Sequence, residues 1–264
     1  MLNGIQRNAS HFLIAASLIA GLFLPHAAPA QGLNDSGQTL CYDGSTLVAC
    51  TATNTGDAAT YPRQDGRYGR DAAATVGALP KTGGGAVGFD FTAFDATGQP
   101  TTPSSGPTPH PCVRDNVTEL IWEVKTDDDG LRDRDWTYTW YSTVTTTNGG
   151  NAGSNSVTNT CNSTLASCNI EAYAAAVNSA ALCGFNDWRL PSFRELQTLV
   201  HYGAQSPAID TTYFPNTVAS NFWSASTYVP NPARAWYVSS NFGGVDDLLK
   251  TSGLRVRLVR GGQF

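Results

Sequence analysis

Apolar residues spaced three and four apart mark two helices in this chain. Over 170–182, Tyr173, Ala176, Val177 and Ala180 fall on one side, Asn169 stands where a cap is needed and Gly184 where the helix must stop. The second helix begins at Phe193. Its Phe193, Leu196, Leu199 and Val200 share a face, and Ser192 with Glu195 forms a capping box that satisfies two otherwise orphaned N–H groups. Pro191 holds Leu190 extended, and Gly203 is the natural end.

Strand patterns surround these helices. Residues 113–125 read as a strand, a turn at Asp115-Asn116, and a second strand through 120–124. Segments 222–227, 235–242, 244–249 and 254–260 form a β-rich meander, punctuated by Pro230-Asn231-Pro232, Gly243-Gly244 and Ser252-Gly253. Before residue 111 the pattern weakens. Residues 87–94 alternate enough for one or two strands, and 100–107 is a Pro-, Thr- and Ser-rich loop or linker. The expected organisation is an α+β domain over 111–264 behind an irregular, β-rich N-terminal lobe over 31–110.

Residues 1–30 follow a different logic. Arg7 and His11 precede a thirteen-residue apolar run, 12–24, and the small-residue end Ala28-Pro29-Ala30, the form of a secretory signal peptide cleaved near Gln31. That run falls short of the ~20 residues a bilayer-spanning helix needs, so no membrane span is expected after cleavage, and the protein is placed in the periplasm or outside the cell.

Export makes the six cysteines a disulfide set. Cys41 and Cys50 flank an Asp43-Gly44 turn that suits a local clip, Cys161 and Cys168 close another small loop, and Cys112 with Cys183 makes a long closure. Pairing Cys168 with Cys183 and Cys112 with Cys161 is the alternative. The net charge is −5, and −6 once residues 1–30 and their single arginine are gone, which argues against a nucleic-acid partner.

Four sequence blocks carry a family resemblance: Trp188-Arg189-Leu190-Pro191 with Glu195-Leu196, then Phe222-Trp223-Ser224-Ala225-Ser226, then Ala235-Trp236-Tyr237-Val238, and last Val256-Arg257-Leu258-Val259-Arg260-Gly261-Gly262. In this order they resemble the Lcl C-terminal domain family over roughly Cys112 to Phe264. The resemblance implies a C-type-lectin-like fold of two helices on small antiparallel sheets. It also implies that Trp188, Arg189, Leu190, Pro191, Glu195, Trp223, Ser224, Trp236 and Arg257 are mainly structural. Where many relatives carry a cysteine pair, this chain has Val177 and Leu258, an apolar couple suited to packing in place of the bridge.

Candidate chemistry is sparse. The six tryptophans all lie in the domain; Trp136, Tyr138 and Trp140 alternate onto one face, which would be a sugar-stacking platform if exposed and core if not. Asp127, Asp128, Asp129, Asp133 and Asp135 offer oxygen ligands, but Lys125 breaks the EF-hand spacing, so the cluster reads as a solvated acidic turn offset by Arg132 and Arg134. No metal site or cofactor is expected, calcium being the one ion the acidic residues leave open. Arg255 and Arg257 would share a strand face suited to an anion, and Arg189 and Arg257 would otherwise pair with Glu195 or Asp187. His11, His26, His110 and His201 compose no catalytic set, and the formylglycine-generating enzymes that share the implied broad fold rely on a late cysteine pair, absent here after Cys183. The chain therefore reads as a non-enzymatic recognition or adhesion module. Its partner would be a surface glycan or an exported protein, bound through the late loops at Tyr228, Asn231, Arg234, Asn241, Asp246, Asp247 and Lys250. A structural component of an exported assembly is the second reading, and a hydrolase built on Asp246 and Asp247 a distant third.

Overall fold

The computed structural model describes residues 35–50 and 63–261; the signal peptide expected over residues 1–30 lies outside the described residues. The first element is a hairpin of β1 (Leu40–Tyr42) and β2 (Leu47–Ala49), clipped by Cys41–Cys50 across the Asp43-Gly44 turn. A short helix, α1 (Gly69–Thr75), follows. Then comes the organising sheet, made of β3 (Phe91–Phe94), β4 (Pro100–Thr101), β5 (Cys112–Asp115) and β6 (Ile121–Glu123). The chain's last strand, Val259–Arg260, joins it beside β6. The sheet thus crosses the boundary drawn at residue 111, because β3 and β4 hydrogen-bond directly onto the domain through β5.

Alternation along β5 and β6 splits the interior in two. Val113 and Trp122, paired in register, enter a cluster with Phe89, Phe91, Leu196, Leu199, Phe214 and Val238. Cys112 and Ile121 point the other way, into a cluster with Tyr138, Trp140, Tyr173, Val177, Trp188, Trp223 and Leu258. The helices follow this division: α2 (Ile170–Ser179) covers the second cluster and α3 (Phe193–Gln197) the first. Val177 and Leu258 are both fully buried in the second cluster, as expected of an apolar couple.

Both helix starts match the sequence; both ends come earlier. Asn169 accepts from the Ala172 N–H, and Ser192 and Glu195 form the complete capping box. However, α2 stops at Ser179, because Ala181 and Cys183 take left-handed backbone angles (φ 48° and 53°) that turn the chain toward Cys112. After α3, Thr198 already caps the helix, and Leu199 and Val200 reach the core from a turn. All three disulfides are the first set of pairs read from the spacing, Cys41–Cys50, Cys112–Cys183 and Cys161–Cys168.

The later strands are β7 (Tyr138–Thr139), β8 (Asn221–Thr227), β9 (Arg234–Ser239), β10 (Val245–Leu249), β11 (Gly253–Leu254) and β12, the Val259–Arg260 strand above. β8, β9 and β10 form an antiparallel three-stranded sheet, and β7 pairs with β11. The single strand expected over 254–260 is broken. Val256, Arg257, Leu258 and Val259 are all buried, so inward and outward positions cannot alternate there. The structure is α+β, with few helices and several small antiparallel sheets.

Glu123 sits at the junction of these pieces, fully buried. Its carboxylate accepts from the Leu258 N–H (2.9 Å), from Lys125 Nζ (3.2 Å) and from the Tyr173 hydroxyl, and Lys125 Nζ also lies 2.8 Å from that hydroxyl. Burial pulls the Lys125 ammonium down to about 8 and, with the Glu123 charge, keeps the Tyr173 phenol protonated. A buried carboxylate stripped of its cation is strongly penalised. Lys125→Met should therefore cost about 3–5 kcal/mol in urea unfolding, with part recovered in the Glu123→Gln/Lys125→Met double variant. Replacing Cys112 and Cys183 by alanine, which opens a closure of 71 residues, should cost about 4 kcal/mol in the same assay.

Candidate functional site

The strongest surface constellation lies on β8–β10. Along β9, Arg234 and Trp236 project to one face, and the register sets Asp247 of β10 opposite Trp236. Arg234 forms an ion pair with the Asp247 carboxylate and donates from Nη2 to its carbonyl at 3.0 Å. The Trp236 ring is framed by Phe193, the first residue of α3, at 5.7 Å, and by Tyr228, edge-on at 5.1 Å. Arg194 lies 5.8 Å from the Phe193 ring on the exposed rim. Phe193, Tyr228, Arg234 and Trp236 are all half-buried.

Trp236 differs from the other tryptophans. The indole N–H groups of Trp140, Trp223, Trp188 and Trp136 each donate to a main-chain carbonyl, on Ser224, Tyr138, Leu182 and Gly130. The Trp122 N–H also lacks an acceptor, but that residue is fully buried, so exposure is what sets Trp236 apart. Trp236 is partly exposed, and among the described residues its N–H has no acceptor. Sequence grouped it with structural tryptophans because a strand motif cannot tell which face meets another layer. Trp140 and Tyr138 are buried and Trp136 partly so, hence the platform imagined for those three residues is core.

The predicted late-loop residues do not all converge. Tyr228, Asn231, Arg234 and Asp247 gather at the β8–β9 end of the sheet, where Asn231 shapes the turn by accepting from the Ala233 N–H. Asn241 lies in the β9–β10 turn, roughly 20 Å along the strand, and its amide oxygen accepts from Ser206 Oγ at 2.6 Å. Asp246 and Asp247 are successive strand residues and leave opposite faces, so they form no acidic pair.

Lys250 is not a surface cation. It is 1% exposed, donates to the carbonyls of Asn148 (2.9 Å) and Asn151 (2.7 Å), and its ammonium lies 3.9 Å from the centre of the Trp140 ring. Arg257 is likewise buried, donating to the Glu123 carbonyl (2.6 Å) and Thr217 Oγ1 (2.8 Å) over the Phe214 ring, so the anion face imagined with Arg255 does not form. Arg255 donates to the Arg134 carbonyl and to Ser220. Arg189 pairs with Glu195, and Asp187 with Arg260. His110 is buried against the Tyr213 carbonyl at 2.9 Å, and burial lowers its pKa.

The acidic turn is also organised internally. Both Asp133 oxygens accept main-chain N–H groups, from Asp128, Asp129 and Asp135. Asp127 pairs with Arg134 and Asp135 with Arg255, while Arg132 turns away to the Val124 carbonyl. The offset therefore comes from Arg134 and Arg255, a residue far away in sequence.

A family model described as the Lcl C-terminal domain matches residues 111–260, a span that contains α2, α3 and the whole β8–β10 sheet. No curated protein matches the chain.

Lys250 generates a pH test. Burial brings its pKa from 10.5 to about 8. Below pH 8 it is charged in both states; between about 8 and 10.5 the folded protein has released a proton that the unfolded chain still binds, so stability rises with pH across that window. Lys250→Met should cost about 1–3 kcal/mol near neutrality, because two carbonyls lose their donor. The urea midpoint of the wild type should gain on that of the variant between pH ~7.5 and ~9.5.

Proposed function

The chain belongs to the Lcl C-terminal domain family, and we propose that it is an exported, non-catalytic recognition or adhesion module that binds a glycan on the β8–β10 face. The observation that carries this reading is Trp236, a half-buried indole with a free N–H, flanked by Tyr228 and Phe193 and set beside the Arg234–Asp247 pair. The apolar C–H face of a sugar ring complements an aromatic face, while a guanidinium and a carboxylate held together offer donors and acceptors to its hydroxyls. The binding set is accordingly Tyr228, Arg234, Trp236 and Asp247, with Asn231 at the rim. We read the small antiparallel sheets and two domain helices as C-type-lectin-like. Export is supported by the pattern of residues 1–30 and by three disulfides; no helix among the described residues is long and apolar enough to cross a membrane.

The second reading, a structural part of an exported assembly, draws on the lobe's exposed Leu40, Leu47, Tyr68 and Val76. Leu40, Tyr68 and Val76 line one cleft of the lobe together with Ala72 and Ala73, but the cleft lacks the paired aromatic rings of the β8–β10 face.

The test is a glycan array probed with purified, disulfide-intact protein, followed by calorimetric titration of the best ligand. Trp236→Ala and Arg234→Ala should each weaken binding about tenfold or more, equivalent to ~1.4 kcal/mol, while Asn241→Ala leaves affinity unchanged and all three variants keep a cooperative melt. Loss confined to Asn241→Ala would move the site to the far turn. A blank array with folded protein would defeat the glycan reading and leave the protein-contact one.

A further inference from the structure

We propose that Asp35, Asp65 and Asp71, in the lobe outside the matched domain, form a calcium site. The three residues come from three local structures: the extended segment before β1, a 3-10 turn at Asp65–Arg67, and the first turn of α1. One carboxylate oxygen from each lies within 4.8 Å of the others, the separation expected of oxygens around one ion with ligand distances of about 2.3–2.6 Å.

Proximity of acids alone is common; Asp71 is the second observation. It is fully buried, its Oδ1 accepts from the Gly88 N–H at 2.7 Å, and its Oδ2, buried as well, meets no donor in hydrogen-bonding geometry, the Gly37 N–H being near enough only to favour the charged form. An unpaired oxygen on a buried carboxylate is costly, so something should complete it. Among the described residues no lysine or arginine makes an ion pair with any of the three acids. Burial, then the charges of Asp35 and Asp65, hold the Asp71 carboxyl up at about 6. A hard divalent cation answers all of this at once, taking the free oxygen and cancelling the repulsion.

The surroundings suit an ion. The Ser36 hydroxyl, bonded to Asp65, is a neutral oxygen next to the cluster. Gly69, at φ +89°, passes so close that a Cβ there would meet Asp35 Oδ2 at 3.3 Å and Asp65 Oδ1 at 3.7 Å, so a glycine keeps both the backbone angle and the space beside the oxygens. The acidic turn at Asp127, Asp133 and Asp135 has a similar grouping of oxygens. Asp35 too accepts main-chain N–H groups, from Ser36 and Asp71, but in the acidic turn both oxygens of the buried Asp133 are satisfied in this way and Asp127 and Asp135 are paired with arginines, so no buried carboxylate oxygen is left over there.

The experiment compares melting of chelator-treated full-length protein with and without calcium chloride at ~10 mM, a concentration saturating for the ~0.1–1 mM affinities of extracellular sites. The wild type should gain roughly 3–10 °C, and magnesium markedly less. Asp71→Asn keeps the oxygen that Gly88 needs and removes one of three crowded charges. In chelator it should therefore melt at or above the wild type, and it should not respond to calcium; a purely structural aspartate would instead lose stability in both conditions. Asp135→Asn should keep the full response. Indifference of the wild type to calcium, a normal response in Asp71→Asn, loss of the response in Asp135→Asn, or an equal response to magnesium would each overturn the assignment. None of these outcomes bears on glycan binding at Trp236.

Discussion

A single buried carboxylate holds the domain's parts in register. Glu123 ends β6, and its side chain meets the Leu258 N–H, Lys125 and the Tyr173 hydroxyl of α2, while its carbonyl takes a donor from Arg257. A carboxylate removed from water is tolerated only where hydrogen bonds and a countercharge replace its hydration. The central sheet, α2 and the C-terminal segment therefore have to arrive together. Arg257 adds a second buried cation, stacked over Phe214 of the opposite cluster, so the polar junction spans both hydrophobic cores.

That junction explains the irregular end of the chain. A regular strand from 254 to 260 would send Arg257 to one side and its neighbours to the other. The side chain instead turns inward, the ladder breaks, and the strand resumes at Val259 opposite Trp122. Lys250 works in the same way on a smaller scale, tying the loop carbonyls of Asn148 and Asn151 to the Trp140 face. Cations that would pass for binding groups in a linear reading are thus committed to holding loops and sheets. The β8–β10 face, by contrast, pairs its charges on the surface and leaves Trp236 with capacity to spare.

The lobe follows a different economy. Its hairpin is clipped by a short disulfide, and it is linked to the domain through β3 and β4 of the shared sheet and through hydrogen bonds of Ser36 and Gln38 to Tyr202 and of Ala86 to Asp210. Before Phe89 the lobe buries no large apolar side chain among the described residues, the setting in which a short disulfide contributes most to order.

Local chemistry was legible wherever it depends on neighbours in sequence. The capping box at Ser192 and Glu195, the Asn169 cap, the turn residues that delimit β8, β9 and β10, and the short Cys41–Cys50 and Cys161–Cys168 closures all rest on groups a few residues apart. The same is true of the motif order that marks the family. The long Cys112–Cys183 closure, by contrast, was inferred from what the short loops left over. What tertiary structure decided is which side chains meet across long separations: Glu123 with Tyr173 and Leu258, Lys250 with Asn148, Asp35 with Asp71, and Trp236 with Phe193. A linear pattern specifies which face of a strand is apolar, but whether a lysine, arginine or tryptophan on that face is covered depends on the layer packed above it, and that layer comes from elsewhere in the chain.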